Sequence, residues 1–197
     1  KKQIMGLQKE FWVKNMVCSR CLKVIKQELE ALGVKVISIE LGKLKVISEI
    51  DYSTETIESI AKVLRTNGFE IVQSEEEKLV EAIKHLLIGR LGVLPIGLKL
   101  KTSEYLSQEL HRDYKTLSRL FSKNENSTIE RYYIRLKVEK AKELVQLGEH
   151  SFSDIAYLLD YSSVNHLSRQ FKEVVGLNMT DYKNSKNAMR NFYDEII

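Results

Sequence analysis

The pentapeptide Leu117-Ser118-Arg119-Leu120-Phe121 returns at an offset of 50 as Leu167-Ser168-Arg169-Gln170-Phe171, and this repeat constrains the fold more than any other feature of the chain. Upstream the offset persists. Ser103-Glu104 matches Ser153-Asp154, each a candidate N-cap followed by an acid suited to the positive end of a helix dipole. Asp113 matches Ser163, a second pair of candidate caps. Each copy is therefore predicted to be a short helix, a tight turn and a second helix, which makes a duplicated helix-turn-helix.

At 100° per residue, Leu117, Leu120 and Phe121 share one face of the second helix and leave Lys115, Arg119 and Ser122 opposite. In the other copy Val164, Leu167, Phe171 and Val174 form the apolar stripe, with Asn165, Arg169 and Lys172 outward. Arg and Asn are the side chains that bind guanine and adenine edges bidentately, while Lys and Ser hold phosphates. One such face alone would read as an ordinary solvated helix surface. Two of them, each behind a capped helix and each with an outward Arg, favour a recognition surface. Between the copies, Ile129 to Leu147 has helical spacing with Ile134, Val138, Ala141 and Leu144 on one stripe. At 1.5 Å per residue this helix spans roughly 28 Å, comparable to the ~34 Å between successive major-groove faces of double-stranded DNA.

Residues 100–184 resemble the AraC/XylS-type DNA-binding domain of bacterial transcription regulators. The resemblance is carried by the two pentapeptides together with Asp154-Ile155-Ala156, Tyr161-Ser162-Ser163, Lys172, Gly176 and Tyr182. Asp160 stands where that family usually has a turn glycine, and Met179 where it usually has proline. Asp tolerates the left-handed conformation such a turn needs. The resemblance implies that both second helices enter DNA. Bulk charge adds little, since the whole chain carries +4 and residues 101–197 hold 15 Lys/Arg against 14 Asp/Glu.

The N-terminal part is built differently. Phe11 to Val17 reads as a strand, Arg20 to Leu32 as a helix ended by Gly33, and Val34–Leu41 with Leu44–Ser48 as a hairpin around Gly42-Lys43. Ser53 or Thr54 then caps a second helix, and Asn67-Gly68 returns the chain to a short strand, Phe69 to Val72. The βαββαβ order suits a ferredoxin-like α+β sandwich. The expected architecture is thus α+β, with that sandwich over residues 1–73, a linking helix and glycine-marked joint over 74–99, the all-α double helix-turn-helix over 100–184, and a tail over 185–197. In the linking helix Leu79, Val80, Ile83, Leu86 and Leu87 make an apolar stripe; Gly89 and Gly92 through Pro95 to Gly97 make the joint.

Cys18 and Cys21 are the only cysteines, three positions apart at the junction of the first strand and helix. That is no disulfide framework and fits a metal or redox pair in a reducing compartment. A thiol at a helix N-terminus is favoured as thiolate, and Arg20 and Lys23 add positive potential. Two thiolates suit near-linear Cu(I), or Zn(II) with further ligands. Met16 reads better as buried support than as a ligand. The segment Asn15-Met16-Val17-Cys18-Ser19-Arg20-Cys21, with Asn67-Gly68-Phe69, resembles the heavy-metal-associated domain of copper chaperones and metal ATPases over about residues 8–73. Asn15 and Val17 replace residues usual around that methionine. This resemblance implies a thiophilic metal at Cys18 and Cys21; thiol-redox sensing and a metal-delivery chaperone are the rival readings.

No P-loop, dinucleotide fingerprint or Ser-His-Asp constellation occurs, and no acid/base partner adjoins the cysteines in sequence, so an enzyme is not expected. His85, His111 and His150 lack ligand spacing and read as surface or capping residues. No apolar run approaches the roughly 18 residues of a membrane span, and the opening Lys-Lys-Gln-Ile-Met-Gly lacks the apolar core of a secretory signal. A soluble cytoplasmic regulator is the expectation, with homodimerisation through paired cysteine sites as a subsidiary one.

Overall fold

The structure is a computed structural model that describes residues 7–16, 19–48, 54–97 and 100–185. The chain divides into two compact units, Lys1–His85 and Leu86–Ile197.

In the first unit, β1 (Leu7–Lys14), α1 (Ser19–Ala31), β2 (Lys35–Glu40), β3 (Lys43–Ser48), α2 (Thr54–Thr66) and β4 (Glu70–Val72) follow one another in the expected strand and helix order. The strands form one sheet in the order β2-β3-β1-β4, with each neighbouring pair antiparallel. Alternation along β1 buries Phe11 and Val13 against Ile25 and Leu29 of α1 and Ile60 and Leu64 of α2. Met16 is fully buried in the same core, as expected of a supporting side chain. Trp12 and Lys43 are cross-strand partners, and the ammonium lies 4.6 Å from the indole centroid, a cation–π geometry. Asn15 takes φ +66° and its side chain donates to the Gly68 carbonyl at 3.1 Å, tying the end of β1 to the turn before β4.

Helix α3 (Glu75–Leu91) crosses the division between the units. Its start is held by a reciprocal pair, in which the Glu77 amide donates to the Ser74 hydroxyl and the Ser74 amide donates to the Glu77 carboxylate, both at 3.2 Å. Glu77 also accepts from the Lys14 ammonium at 2.8 Å, and its carboxyl is held down at about 2 by that bond foremost and by Ser74. Two sequence expectations change here, one at Gly89 and one at His85. Gly89 belongs to α3 rather than to the joint, because the helix continues to Leu91. The segment beyond it is anchored, since the Ile96 side chain is buried and its amide donates to the Leu158 carbonyl at 2.8 Å. His85 is not a surface residue either: a Cβ built on Gly42 would lie 2.0 Å from the imidazole Cε1, so the ring occupies the space that the glycine leaves.

The second unit is helical: α4 (Thr102–Leu110), α5 (Tyr114–Glu125), α6 (Ile129–Leu147), α7 (Phe152–Leu158), α8 (Val164–Val175) and α9 (Met179–Asn184). Helix α6 is more deeply buried than its one-stripe pattern suggests, because Tyr132, Tyr133, Leu136 and Val145 are buried beside Val138, Ala141 and Leu144. Its buried charges, Glu139 and Lys142, pair with each other at 2.7 Å. Residues 186–197, including almost all of the tail, lie outside the described residues.

Candidate nucleic-acid interface

The second helix of each copy, α5 and α8, is launched by the cap expected for it. Asp113 accepts from the Thr116 amide at 2.9 Å and Ser163 accepts from the His166 amide at 3.1 Å. The Asp113 carboxyl lies below its ordinary value, chiefly because of its hydrogen bonds to Thr116, with the Arg119 charge a smaller cause. The preceding helices start differently from expectation. Ser103 lies inside α4, whose N-cap Lys101 makes no side-chain cap bond. Ser153 lies inside α7, where Ser151 and Asp154 form a capping box instead. The reason is local: a hydroxyl three residues ahead of the acid can exchange bonds with it reciprocally, whereas Ser153 directly precedes the acid and cannot.

The turn between the helices of each copy passes through the left-handed region, at His111 with φ +49° and at Asp160 with φ +55°. Asp160 thus adopts the left-handed conformation that Asp tolerates. Beyond the turns, the burial of residues 114–121 and 164–171 is the same position by position. Leu117, Phe121, Leu167 and Phe171 are buried; Lys115, Arg119, Asn165 and Arg169 are exposed. Lys172 is exposed and Ser122 half-buried, so all six outward residues expected from the periodicity lie on or near the surface. Leu120 is half-buried, and Val174 is 42% exposed rather than part of the core stripe. Val174 instead lines a groove of about 340 Å³ with Ile134, Arg131, Arg135, Gln170 and Glu173.

The repeat also runs further than the pentapeptides. Asn126 and Gly176, both left-handed, end α5 and α8; Thr128 and Asn178 cap α6 and α9; Ile129 with Met179 and Tyr132 with Tyr182 are buried. Phe121 contacts Tyr132 and Phe171 contacts Tyr182, both with ring centroids 5.4 Å apart. One residue that periodicity did not single out is His166. It sits half-exposed in the first turn of α8, its Nδ1 3.1 Å from the Ser162 hydroxyl.

The cysteine pair cannot be placed in the same way. Cys18 lies outside the described residues; Cys21 falls in the first turn of α1. Among the described residues no group of three or more His, Cys, Asp or Glu is arranged to hold a metal ion, and no helix is long and apolar enough to cross a membrane.

Two similar helix-turn-helix units joined by one central helix define a double helix-turn-helix domain. Residues 106–185 match the family described as "Helix-turn-helix domain". Over 86 residues the chain is 27% identical to the "HTH-type transcriptional activator RhaS" of Salmonella arizonae, and equally to those of Salmonella newport and Salmonella dublin. Each match covers 44% of this chain and 31% of the relative, so the chain spans about a third of the curated relatives it matches. Among solved structures, "The C-terminal domain of AraT, a response regulator from Geobacillus stearothermophilus" is similar with 19% identity and a TM-score of 0.48, covering 60% of this chain and 97% of that one.

Proposed function

We propose that this chain is a sequence-specific DNA-binding transcription regulator of the AraC/XylS type, without enzymatic activity, in which α5 and α8 read successive major grooves. The observation that carries the reading is the matched burial of the two helices, which leaves Lys115, Arg119 and Ser122 on one, and Asn165, Arg169 and Lys172 on the other, available to bases and phosphates. The similarity to proteins named as transcriptional activators supports it. The test is to select a duplex from a random pool and compare Arg119→Ala and Arg169→Ala with the parent. Each substitution is expected to weaken binding by about 1–3 kcal/mol, concentrated at one base position if the Arg reads guanine and spread over all sequences if it grips phosphate. Unchanged affinity in both variants would sink the assignment.

The first unit is the sensor in this reading. Its strand order β2-β3-β1-β4 supports a ferredoxin-like sandwich, and the spacing of Cys18 and Cys21 supports a thiophilic ion, Cu(I) or Zn(II), as the signal. An ion that binds two domain arrangements unequally shifts DNA affinity by its differential affinity and no more, typically about 5- to 150-fold. Adding Cu(I) or Zn(II) is therefore expected to change operator affinity in the parent and to leave Cys18→Ser/Cys21→Ser unaffected. Tight binding indifferent to both ions would move sensing to thiol oxidation. Dimerisation through metal bridging predicts a metal-dependent rise in sedimentation coefficient.

A further inference from the structure

Where the end of α3 meets α4, α6 and the turn before α8, the second unit gathers polar groups that its own side chains do not satisfy. Arg90 lies with its guanidinium carbon 4.4 Å from the Tyr105 ring centroid, and one terminal nitrogen donates to the Leu100 carbonyl at 3.2 Å. Its other terminal nitrogen, and the hydroxyls of Tyr133 and Tyr161, are buried without a hydrogen-bond partner among the described residues. Lys137 stands beside them, its ammonium 3.9 Å from the Tyr161 centroid and 5.9 Å from that of Tyr133. Its hydrogen bond is to the backbone carbonyl of Asp160 at 3.3 Å.

Each buried donor left unpaired costs its full desolvation, and charge withdrawn from water without a counter-ion costs more. Neither Arg90 nor Lys137 makes an ion pair among the described residues, although the exposed Asp160 carboxylate is near enough to act on Lys137 through space. Burial foremost holds the Lys137 ammonium down at about 8, opposed by Asp160 and reinforced by Arg90. All four unsatisfied or weakly satisfied groups can donate, and two of them are cationic. Water would accept the hydrogen bonds but add no negative charge to that of the Asp160 carboxylate, set against two cations, and a cation or an apolar ligand would meet neither need. A small oxyanion meets both. We propose that Arg90, Tyr133, Lys137 and Tyr161 form a binding site for a small oxyanion, a carboxylate or a phosphate, entered where Arg90 and Lys137 are half-exposed. Such a ligand would join the segment that leads into the helix-turn-helix domain to Tyr161, two residues ahead of the Ser163 cap of α8. Its occupancy thereby bears on how α8 is presented, whether the signal arrives from the first unit or not.

The full chain is titrated with inorganic phosphate and, separately, with malonate, at constant ionic strength against chloride, and its thermal midpoint is followed. Stabilisation of the parent by about 4 °C or more at saturation is expected from one or both. The comparison that decides is Tyr133→Phe/Tyr161→Phe, which keeps both rings and removes both orphan hydroxyls. In chloride this variant should be as stable as the parent or more so, while its response to the anion falls by at least half. Arg90→Gln should lose the response as well. Phosphate acting at the exposed faces of α5 and α8 would stabilise parent and variants alike, and that outcome overturns the site, as does the absence of any anion-specific shift in the parent. Malonate acting alone would identify a carboxylate ligand, and phosphate alone a phosphorylated one.

Discussion

Phe171→Ala is expected to lower the stability of the helix-turn-helix domain by about 3–5 kcal/mol, and Phe121→Ala by a similar amount. Both rings are fully buried, and each packs against a tyrosine of the following helix, Phe171 edge-on to Tyr182 at 73° and Phe121 tilted at 50° to Tyr132. Truncation removes the transfer energy of the ring and leaves a cavity between helices that cannot close without moving α5 or α8, while the lost aromatic pair adds about 0.5–1.5 kcal/mol. Domains of this size hold only about 5–15 kcal/mol in total, so DNA binding should fall with folding. Arg169→Ala, on the same helix but exposed, should change stability by no more than about 0.5 kcal/mol while weakening DNA binding. Urea unfolding of the three variants beside operator binding separates core from interface. A loss below about 1 kcal/mol at Phe171 would mean that the repeat does not mark the core.

The pentapeptides were enough to place α5 and α8 and their outward residues because a 3.6-residue period, an Asp or Ser cap and a bulky apolar pair act within a single helix. What escaped the periodicity depends on contacts between elements. Helix α6 looks amphipathic in sequence because Glu139 and Lys142 break its apolar pattern, yet the two charges satisfy each other and the helix can be buried around them. The continuation of the repeat through Thr128 and Asn178 is chemically disguised: an Ile corresponds to a Met, and an Asn turn to a Gly turn, so similarity of residue type fades while similarity of role does not. Ser103 and Ser153 looked like caps because Ser before an acid is a common signature, but the bonding partner decides the cap, and at α7 that partner is Ser151. The order of the first unit was legible from alternation and turn glycines. The position of His85 was not, since nothing near it in sequence points to Gly42.

That histidine gives the first unit a pH dependence of its own. The imidazole is held down at about 4 from an ordinary 6.5, by burial foremost and then by the Lys84 and Lys43 charges, against which its hydrogen bond to the Met16 backbone acts. Nε2 is buried without a partner among the described residues, so a proton taken up there gains no acceptor. The folded chain therefore keeps His85 neutral in a range where the unfolded chain binds a proton. Stability from this group is complete above pH 6.5, declines as pH falls through the window down to about 4, and changes no further below it. At about 1.36 kcal/mol per pKa unit the loss from pH 7 to pH 4 is about 3 kcal/mol. Trp12, the one tryptophan of the chain, lies on β1 of the same unit and reports its unfolding. Carboxylates titrate over part of this range too, so the quantity to measure is the difference in urea-derived stability between the parent and His85→Gln at each pH. The parent should lose about 3 kcal/mol more than the variant between pH 7 and pH 4; equal slopes would show that the ring is solvated when the chain is folded. Gly42→Ala should also flatten the slope, because its Cβ takes the place of the imidazole and drives the ring into water, at the added cost of a left-handed alanine at φ +75°.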